Sequence, residues 1–227
     1  MRRVLFKNKK VTGLLVLTPL LLSFATPCFA YPDGDWQAWL STSVEGKTSD
    51  KKWKVKLEEE VRIGENVSEI FYNHTDFGAT YKVVDFFSLG LNYRQVFGRS
   101  KGKWIPEYRP YIHGTFHLKL LDFALDNRNR LEYRIFKDKK DVWRYRNKTT
   151  LTFPWKWTSL EIQPYVADEI FIDTERGRVN RNRLYGGIKF KLMEHLKAQT
   201  FYLWQANESK GKWFDANVIG VKLKVGF

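Results

Sequence analysis

The sequence has a single cysteine, Cys28, in 227 residues, so no disulfide framework can stabilise it. It also has only one long run without charge, residues 11–32. A helical membrane protein with several spans needs several such runs of about 20 residues, and that class is therefore excluded. Acidic residues are in the minority as well, 25 against 39 lysines and arginines, which leaves a formal net charge of +14.

Aromatic residues, by contrast, are abundant: 9 Trp, 11 Tyr and 17 Phe. So much apolar surface excludes a disordered chain. At this length one folded domain is the natural expectation, above all for an all-β chain.

The first 30 residues predict a secretory signal peptide. Residues 1–10 carry five basic side chains and no acid, an apolar stretch follows, and small residues precede a cleavage site after Ala30. An uncleaved anchor and lipid attachment at Cys28 are the alternatives, and Pro27 disfavours the second. Cleavage leaves residues 31–227 as one domain with 34 basic residues, 25 acidic residues and no cysteine, which is typical of a bacterial envelope protein.

Apolar and polar residues alternate along nearly the whole mature chain. The segment 53–58 reads WKVKLE, with apolar and charged side chains in strict turn. Because side chains on a strand point to opposite faces in turn, each such segment has one apolar and one polar face. No part of the mature chain has a convincing helical period.

About eleven alternating segments follow one another, and their connections differ in length. Short turns at one end, long loops at the other and tryptophan near both are typical of a transmembrane β-barrel. We therefore predict an all-β fold: a single antiparallel up-and-down transmembrane β-barrel of 10–12 strands. Bacterial single-chain barrels have even strand numbers, so one of the eleven segments does not fit the count. Counting back from the C-terminus leaves segment 36–45 as this odd strand. Tight turns are expected near 84–86, 120–122, 154–157 and 193–195, and longer loops at 98–106, 137–141, 173–179 and 206–212.

The chain ends in an amphipathic segment whose last residue is aromatic. Leu223, Val225 and Phe227 share one face. This pattern resembles the C-terminal strand signal that outer-membrane barrels present to the barrel-assembly machinery. We expect the protein in the bacterial outer membrane, with lipid and lipopolysaccharide as its surroundings.

If the apolar face meets lipid, the charged face meets the lumen. Hairpin registers then predict that Glu132 lies opposite Arg146, Glu161 near Lys191, and Glu169 near Arg183. Buried ions must pair or pay a desolvation penalty of several kcal/mol each. The predicted ionic network consists of Arg128, Arg130, Glu132, Arg134, Arg144, Arg146, Glu161, Glu169, Arg181, Arg183 and Lys191.

Two functions are compatible with such a lumen, a plugged structural barrel and a narrow porin-like pore. Basic residues outnumber acidic ones on this face, so a pore would favour anionic solutes. Nucleic acid is not expected as a partner, given the export signal. A soluble periplasmic barrel that binds a ligand is a further alternative.

One group of residues fits the predicted lipid face badly. Asn127, Asn129, Asn147 and Thr149 fall on it at about mid-height. A β-bulge that shifts the face is the preferred explanation, and self-association through a subunit contact is the second. A water-soluble barrel is the third.

We find no catalytic constellation in the sequence and predict a non-enzymatic protein without metal or cofactor. His113 and His117 lie four apart on one inward face, which is too few ligands for a metal. No serine is assigned a histidine on a neighbouring strand. An enzyme with its site at the outer rim, acting on lipid or lipopolysaccharide, is the alternative.

Several segments resemble the bacterial family of unknown function DUF2490. The resemblance covers essentially the whole mature chain and implies an outer-membrane β-barrel of Gram-negative bacteria with no established activity. It therefore assigns no catalytic residue. The segments are DWQ (35–37), RNRLEYR (128–134), WRYR (143–146), PYVADEIF (164–171), NRNRLYGG (180–187) and YLWQ (202–205).

Overall fold

The computed structural model describes residues 33–209 and 211–227, which form one closed barrel of eleven strands. The predicted signal peptide and its cleavage site at Ala30 lie outside the described residues. None of the described elements is a helix long and apolar enough to cross a membrane. The strands are β1 (Asp35–Lys47), β2 (Trp53–Gly64), β3 (Glu69–Val84), β4 (Phe87–Ser100), β5 (Lys103–Leu120), β6 (Phe123–Phe136), β7 (Val142–Thr152), β8 (Gln163–Asp173), β9 (Arg178–Lys191), β10 (Leu196–Ser209) and β11 (Lys212–Gly226).

Each strand pairs antiparallel with the next, and β1 closes the barrel by pairing parallel with β11. The predicted all-β barrel is confirmed, but the prediction that all its strands are antiparallel is wrong. With an odd number of alternating strands, the first and the last necessarily run in the same direction. The segment singled out as the odd strand, 36–45, lies in β1 and forms this parallel seam.

The parallel seam places the start of β1 and the end of β11 at opposite ends of the barrel. We call the end at which β1 begins the N-terminal mouth. The end at which β11 finishes is the C-terminal mouth.

The alternation in the sequence becomes an apolar outside and a polar inside. In β1, Trp36 and Leu40 face outward and are about half exposed, whereas Gln37 and Ser41 face inward and are buried. This distribution is the reverse of that in a water-soluble protein, where large apolar side chains gather in the centre.

The connections do not show the predicted difference between the two ends. At the N-terminal mouth, β4 and β5 extend through the predicted loop at 98–106 and meet in a two-residue turn. Lys101 and Gly102 both have positive φ, as the tight turns that match strand twist require. The longest connection, 153–162, lies at the C-terminal mouth, where the sequence predicts a tight turn; there Trp157 pairs back with Ile162.

The polar patch on the outer face is not produced by a bulge, because the β6–β7 register runs without a shift. Its side chains bond to one another instead. Asn129 donates to Asn127 and Asn147 donates to Asn129, each at 2.8 Å. Asn127 in turn donates to Thr149, also at 2.8 Å. The patch satisfies its own hydrogen bonds, which reduces the cost of its position.

Candidate functional site in the lumen

Glu132 on β6 lies at the centre of the lumen and is completely buried. Its carboxylate accepts hydrogen bonds from three guanidinium groups: Arg144 at 2.5 and 2.8 Å, Arg146 at 2.7 Å and Arg130 at 3.2 Å. Hydrogen bonds from cations to both carboxylate oxygens offset the free-energy cost of burying this charge. The registers place Arg144 opposite Glu132 and Arg146 opposite Arg130, so the predicted pairing of Glu132 with Arg146 across the ladder was two residues out.

Glu169 on β8 is a second buried centre, linked to the first through Arg146. That arginine donates to Glu169 at 2.6 Å and to Glu132 at 2.7 Å, bridging the two carboxylates. Tyr185 donates to the other oxygen of Glu169 at 3.0 Å. Arg183 lies directly opposite Glu169, as the sequence predicts, at 3.6 Å.

The remaining predicted network residues are distributed differently. Arg134 bonds Glu107, at 2.5 and 3.0 Å, and Arg128 approaches Glu169 to 3.5 Å. The expected pair of Glu161 and Lys191 does not form. Glu161 lies in the 153–162 connection, where the Lys156 ammonium donates to it. The backbone N–H of Lys191 donates to the carbonyl oxygen of Leu160.

The lumen is more densely ionic on the side of β2 to β7, although Glu169, Arg183 and Lys222 lie on the other side. The opposite wall, from β8 to β11 and β1, presents apolar side chains inward. The alternation pattern did not predict this wall, because near mid-height β10 and β11 carry apolar side chains on both faces. Its buried cluster consists of Trp39, Tyr165, Ala167, Tyr185, Phe201, Leu203 and Val218.

Two glycines on this wall make room for Phe201. A Cβ built on Gly220 would overlap the ring, and one on Gly187 would meet Phe201 and the backbone of Thr200. The phenyl ring can therefore lie across the lumen at this height.

Side chains from both walls meet at mid-height and form what we call the central plug. They are almost wholly buried, and they line neither of the large cavities above and below them. Arg94 lies between the cavities and is bonded to Asp76 at 2.6 Å. The plug consists of His74, Glu132, Glu169, Tyr185, Phe201, Leu203 and Val218.

The cavity at the N-terminal mouth, of about 840 Å³, is lined by arginines that stack on aromatic rings. Arg62 lies 3.6 Å from the ring centre of Trp39 and 4.3 Å from that of Tyr72, while donating two hydrogen bonds to Glu60. Arg183 lies over Trp39 at 4.7 Å. Such stacking adds roughly 0.5–2 kcal/mol per contact and fixes the guanidinium plane.

Arg181 differs from its neighbours in this N-terminal pocket. It lies 5.3 Å over the ring of Phe171, and within the described residues it makes no hydrogen bond or ion pair to a carboxylate. Arg183 and Arg144 share the pocket wall with it. One cation is thus left available to an anion from outside.

The cavity at the C-terminal mouth, of about 610 Å³, is lined by more lysines than residues of any other type. The lysines are Lys47, Lys51, Lys52, Lys54, Lys56, Lys82, Lys148, Lys189 and Lys222. Ser88, His117 and Asp126 belong to the same wall.

Glu58, Glu60 and His74, between β2 and β3, bring three potential metal-ligand atoms within 4.8 Å of one another. Lys56 and Arg62 already bond the two carboxylates, each at 2.5 Å. A cation would have to displace them, so the group functions as part of the ion-pair network.

The segment predicted as an assembly signal completes the barrel wall. Leu223 and Val225 lie in β11 and face outward. Phe227 follows the strand, is 73% exposed, and donates its backbone N–H to Glu45 at 2.9 Å.

No curated protein matches this sequence. One family model does, and it matches residues 36–215, from β1 into β11. This confirms the resemblance inferred from the arginine-rich strands. The matched residues make up most of the barrel, and the chain belongs to the family described as Protein of unknown function (DUF2490).

Proposed function

We propose that this protein is a barrel of the Gram-negative outer membrane that is closed at mid-height and binds an organic anion in its N-terminal pocket. The observation that carries the anion site is Arg181, a lumen arginine without a carboxylate partner among the described residues.

The outer surface supports a membrane location. Apolar side chains such as Leu57, Phe77, Leu91 and Ile112 point outward on successive strands, and most are about half exposed or more. A soluble monomer rarely exposes an apolar patch above a few hundred Å². Exposed tryptophans mark both ends of this surface, as interfacial girdles do: Trp36, Trp104, Trp143 and Trp213 towards the N-terminal mouth, and Trp53, Trp155 and Trp157 towards the C-terminal mouth.

The central plug favours a closed barrel over an open pore. Glu132, Leu203 and Val218 have no exposed surface and come from different walls. An ion crossing at this height would have to break the bonds between Arg146 and the two glutamates. We therefore favour the plugged barrel over the anion-favouring pore.

The chemistry of the N-terminal pocket indicates the ligand class. Nine cationic side chains line it against two carboxylates, Asp33 and Asp215, and aromatic rings lie between the cations. Planar guanidiniums bind phosphate and carboxylate groups through paired hydrogen bonds. The aromatic surface suits a ligand whose anionic group is attached to an apolar or aromatic body.

Fractionation tests the location. The protein should remain in the outer-membrane fraction, need detergent for extraction, and migrate differently on a gel before and after boiling. A product that is soluble without detergent would contradict the proposal and favour the soluble barrel.

Conductance in a planar lipid bilayer tests the plug. The folded barrel should give no stepwise ion conductance. Steady channels, of either ion preference, would show that the lumen is open.

Calorimetric titration of the detergent-solubilised barrel tests the ligand class. Phenyl phosphate should bind more tightly than either inorganic phosphate or phenol. Arg181→Gln should weaken binding by roughly ten- to a hundredfold, since a hydrogen bond to a charged group is worth about 1.5–3 kcal/mol. Lys222→Gln, in the other cavity, is the matched control and should leave affinity unchanged. Equal affinity for inorganic and phenyl phosphate would show that the aromatic rings of the pocket do not contribute to binding.

A further inference from the structure

Three side chains on the C-terminal mouth form a continuous hydrogen-bonded chain. Ser88 Oγ lies 2.9 Å from His117 Nε2, and His117 Nδ1 lies 2.7 Å from Asp126 Oδ1. The residues come from three consecutive strands, β4, β5 and β6. The two nitrogens of one imidazole therefore connect a hydroxyl to a carboxylate.

Strand register produces this arrangement. His117 lies directly opposite Asp126, whereas Ser88 lies opposite Thr115, two residues away from the histidine. The contact between Ser88 and His117 is therefore diagonal across the ladder. Diagonal neighbours remain within reach of a long side chain. The sequence alone does not show this contact, because it depends on the register and on a diagonal approach across the ladder.

The partners determine which ring nitrogen carries the proton. An ionised carboxylate accepts hydrogen bonds and donates none, so Nδ1 must bear the hydrogen that points to Asp126. In the neutral imidazole Nε2 then keeps its lone pair and accepts a hydrogen bond from the Ser88 hydroxyl. This is the order of roles in a serine nucleophile with its general base and orienting acid.

The site is open to solutes. Ser88 is held in the wall at 6% exposure, while the His117 and Asp126 side chains are 43% and 45% exposed and line the same cavity.

Lys82 lies opposite Ser88 on β3 and bonds Asp85 in the adjoining turn at 2.5 Å. That hydrogen bond holds the pKa of Asp85 below its usual value.

We propose that Ser88, His117 and Asp126 form a catalytic triad that hydrolyses carboxylic esters carrying an anionic group. The Ser88 oxygen attacks the ester carbonyl while its proton passes to His117 Nε2, which then protonates the departing alcohol. Water attacks the acyl-serine and gives one proton to His117, which passes it to Ser88 Oγ as the acyl–oxygen bond breaks and the carboxylic acid is released. The surrounding lysines, including Lys82 opposite Ser88, attract the anionic part of the ester.

The first experiment is covalent labelling of the intact, folded barrel with a fluorophosphonate probe, followed by peptide mapping. The label should fall on Ser88. Because the wild-type chain is used, the outcome does not depend on whether a variant folds. An unlabelled Ser88 would overturn the proposal.

The second experiment measures hydrolysis of the mono-4-nitrophenyl ester of succinate against that of 4-nitrophenyl acetate. The anionic ester should be preferred. Ser88→Ala and His117→Gln should each lower its hydrolysis by about a hundredfold or more, the usual contribution of a nucleophile and its base. Asp126→Asn should lower it by roughly tenfold or more through loss of the oriented tautomer.

Ser41→Ala is the matched control, since Ser41 faces the lumen near the same mouth and bonds no histidine among the described residues. It should retain full activity. Heat-dependent gel mobility confirms that each variant is folded. If Ser88→Ala hydrolysed the ester as fast as the wild type, the hydrogen bonds that join Ser88, His117 and Asp126 would be only a structural contact between strands. This result would leave the anion site at the other mouth untouched.

Discussion

The two mouths of the barrel carry the same sign of charge on different side chains. Eight arginines and one lysine line the N-terminal pocket, whereas nine lysines and three arginines line the cavity at the C-terminal mouth. Arg62 is bonded twice to Glu60 and packed between two rings. Lys56 makes a single bond to Glu58, and its side chain is 30% exposed.

This difference follows from the shape of the two cations. A guanidinium is flat, donates in a fork and stacks on aromatic rings, whereas an ammonium is a compact charge that keeps its water. The N-terminal mouth is therefore a pre-organised binding surface. The C-terminal mouth is a more loosely bonded positive field around Ser88, although Lys148 lies 3.6 Å over the ring of Tyr185. The predictions below test whether the two mouths differ in this way.

The largest effect is expected at the carboxylate that holds the arginines together. Glu132→Gln keeps the side-chain shape but removes the charge that three arginines share. We expect the free energy of unfolding to fall by about 3–5 kcal/mol, because buried cations are left uncompensated. Urea unfolding of the barrel in phospholipid vesicles measures it.

Glu175→Gln is the control for that variant. Glu175 pairs with Lys140 at 2.8 Å in exposed loops, and such a pair contributes about 0–1 kcal/mol. Equal losses in the two variants would mean that the plug is as accessible to water as the surface.

An intermediate effect is expected for exchange of the cation type. Arg62→Lys should lower the free energy of unfolding by about 1–2 kcal/mol, since the second hydrogen bond to Glu60 and the stacking on Trp39 are lost. The reverse exchange at the other mouth, Lys56→Arg, should change it by about 0.5 kcal/mol at most. A large loss in Lys56→Arg would show that both mouths are packed alike.

The smallest effect is expected for removal of single charges from the C-terminal mouth. The double variant Lys51→Gln, Lys52→Gln should lower the preference for the anionic ester about two- to threefold, and about 0.5 M salt should reduce the wild type to the same level. Lys101→Gln, in a turn at the opposite mouth, should leave the preference unchanged. A preference that resists salt would indicate a directed contact in place of a general field.

The strands could be predicted closely because each is an uninterrupted alternation. Segments such as 53–58 indicate both the strand and its faces. Connections were harder, because their form depends on how far strands continue to pair. The loop expected at 98–106 is absorbed into β4 and β5, and the expected tight turn at 154–157 is part of a longer connection.

The lumen was predictable in kind but less so in detail. Glu132, Glu169 and Arg183 are where the charge pattern placed them, inside the barrel. Their partners depend on register, and a shift of two residues moves Arg144 into the position expected for Arg146. The diagonal approach of Ser88 to His117 could be found only once the register was known.

The sequence by itself determined that strands would form and which of their faces would be apolar, because side-chain direction on a strand has a period of two and needs no distant partner. It also placed an excess of positive charge on one face. The tertiary structure decided that eleven strands close through a parallel seam, that one wall of the lumen carries a buried apolar cluster, and that arginines are concentrated at one mouth and lysines at the other. Those outcomes depend on residues far apart in the chain meeting across a closed sheet, and no local pattern contains that information.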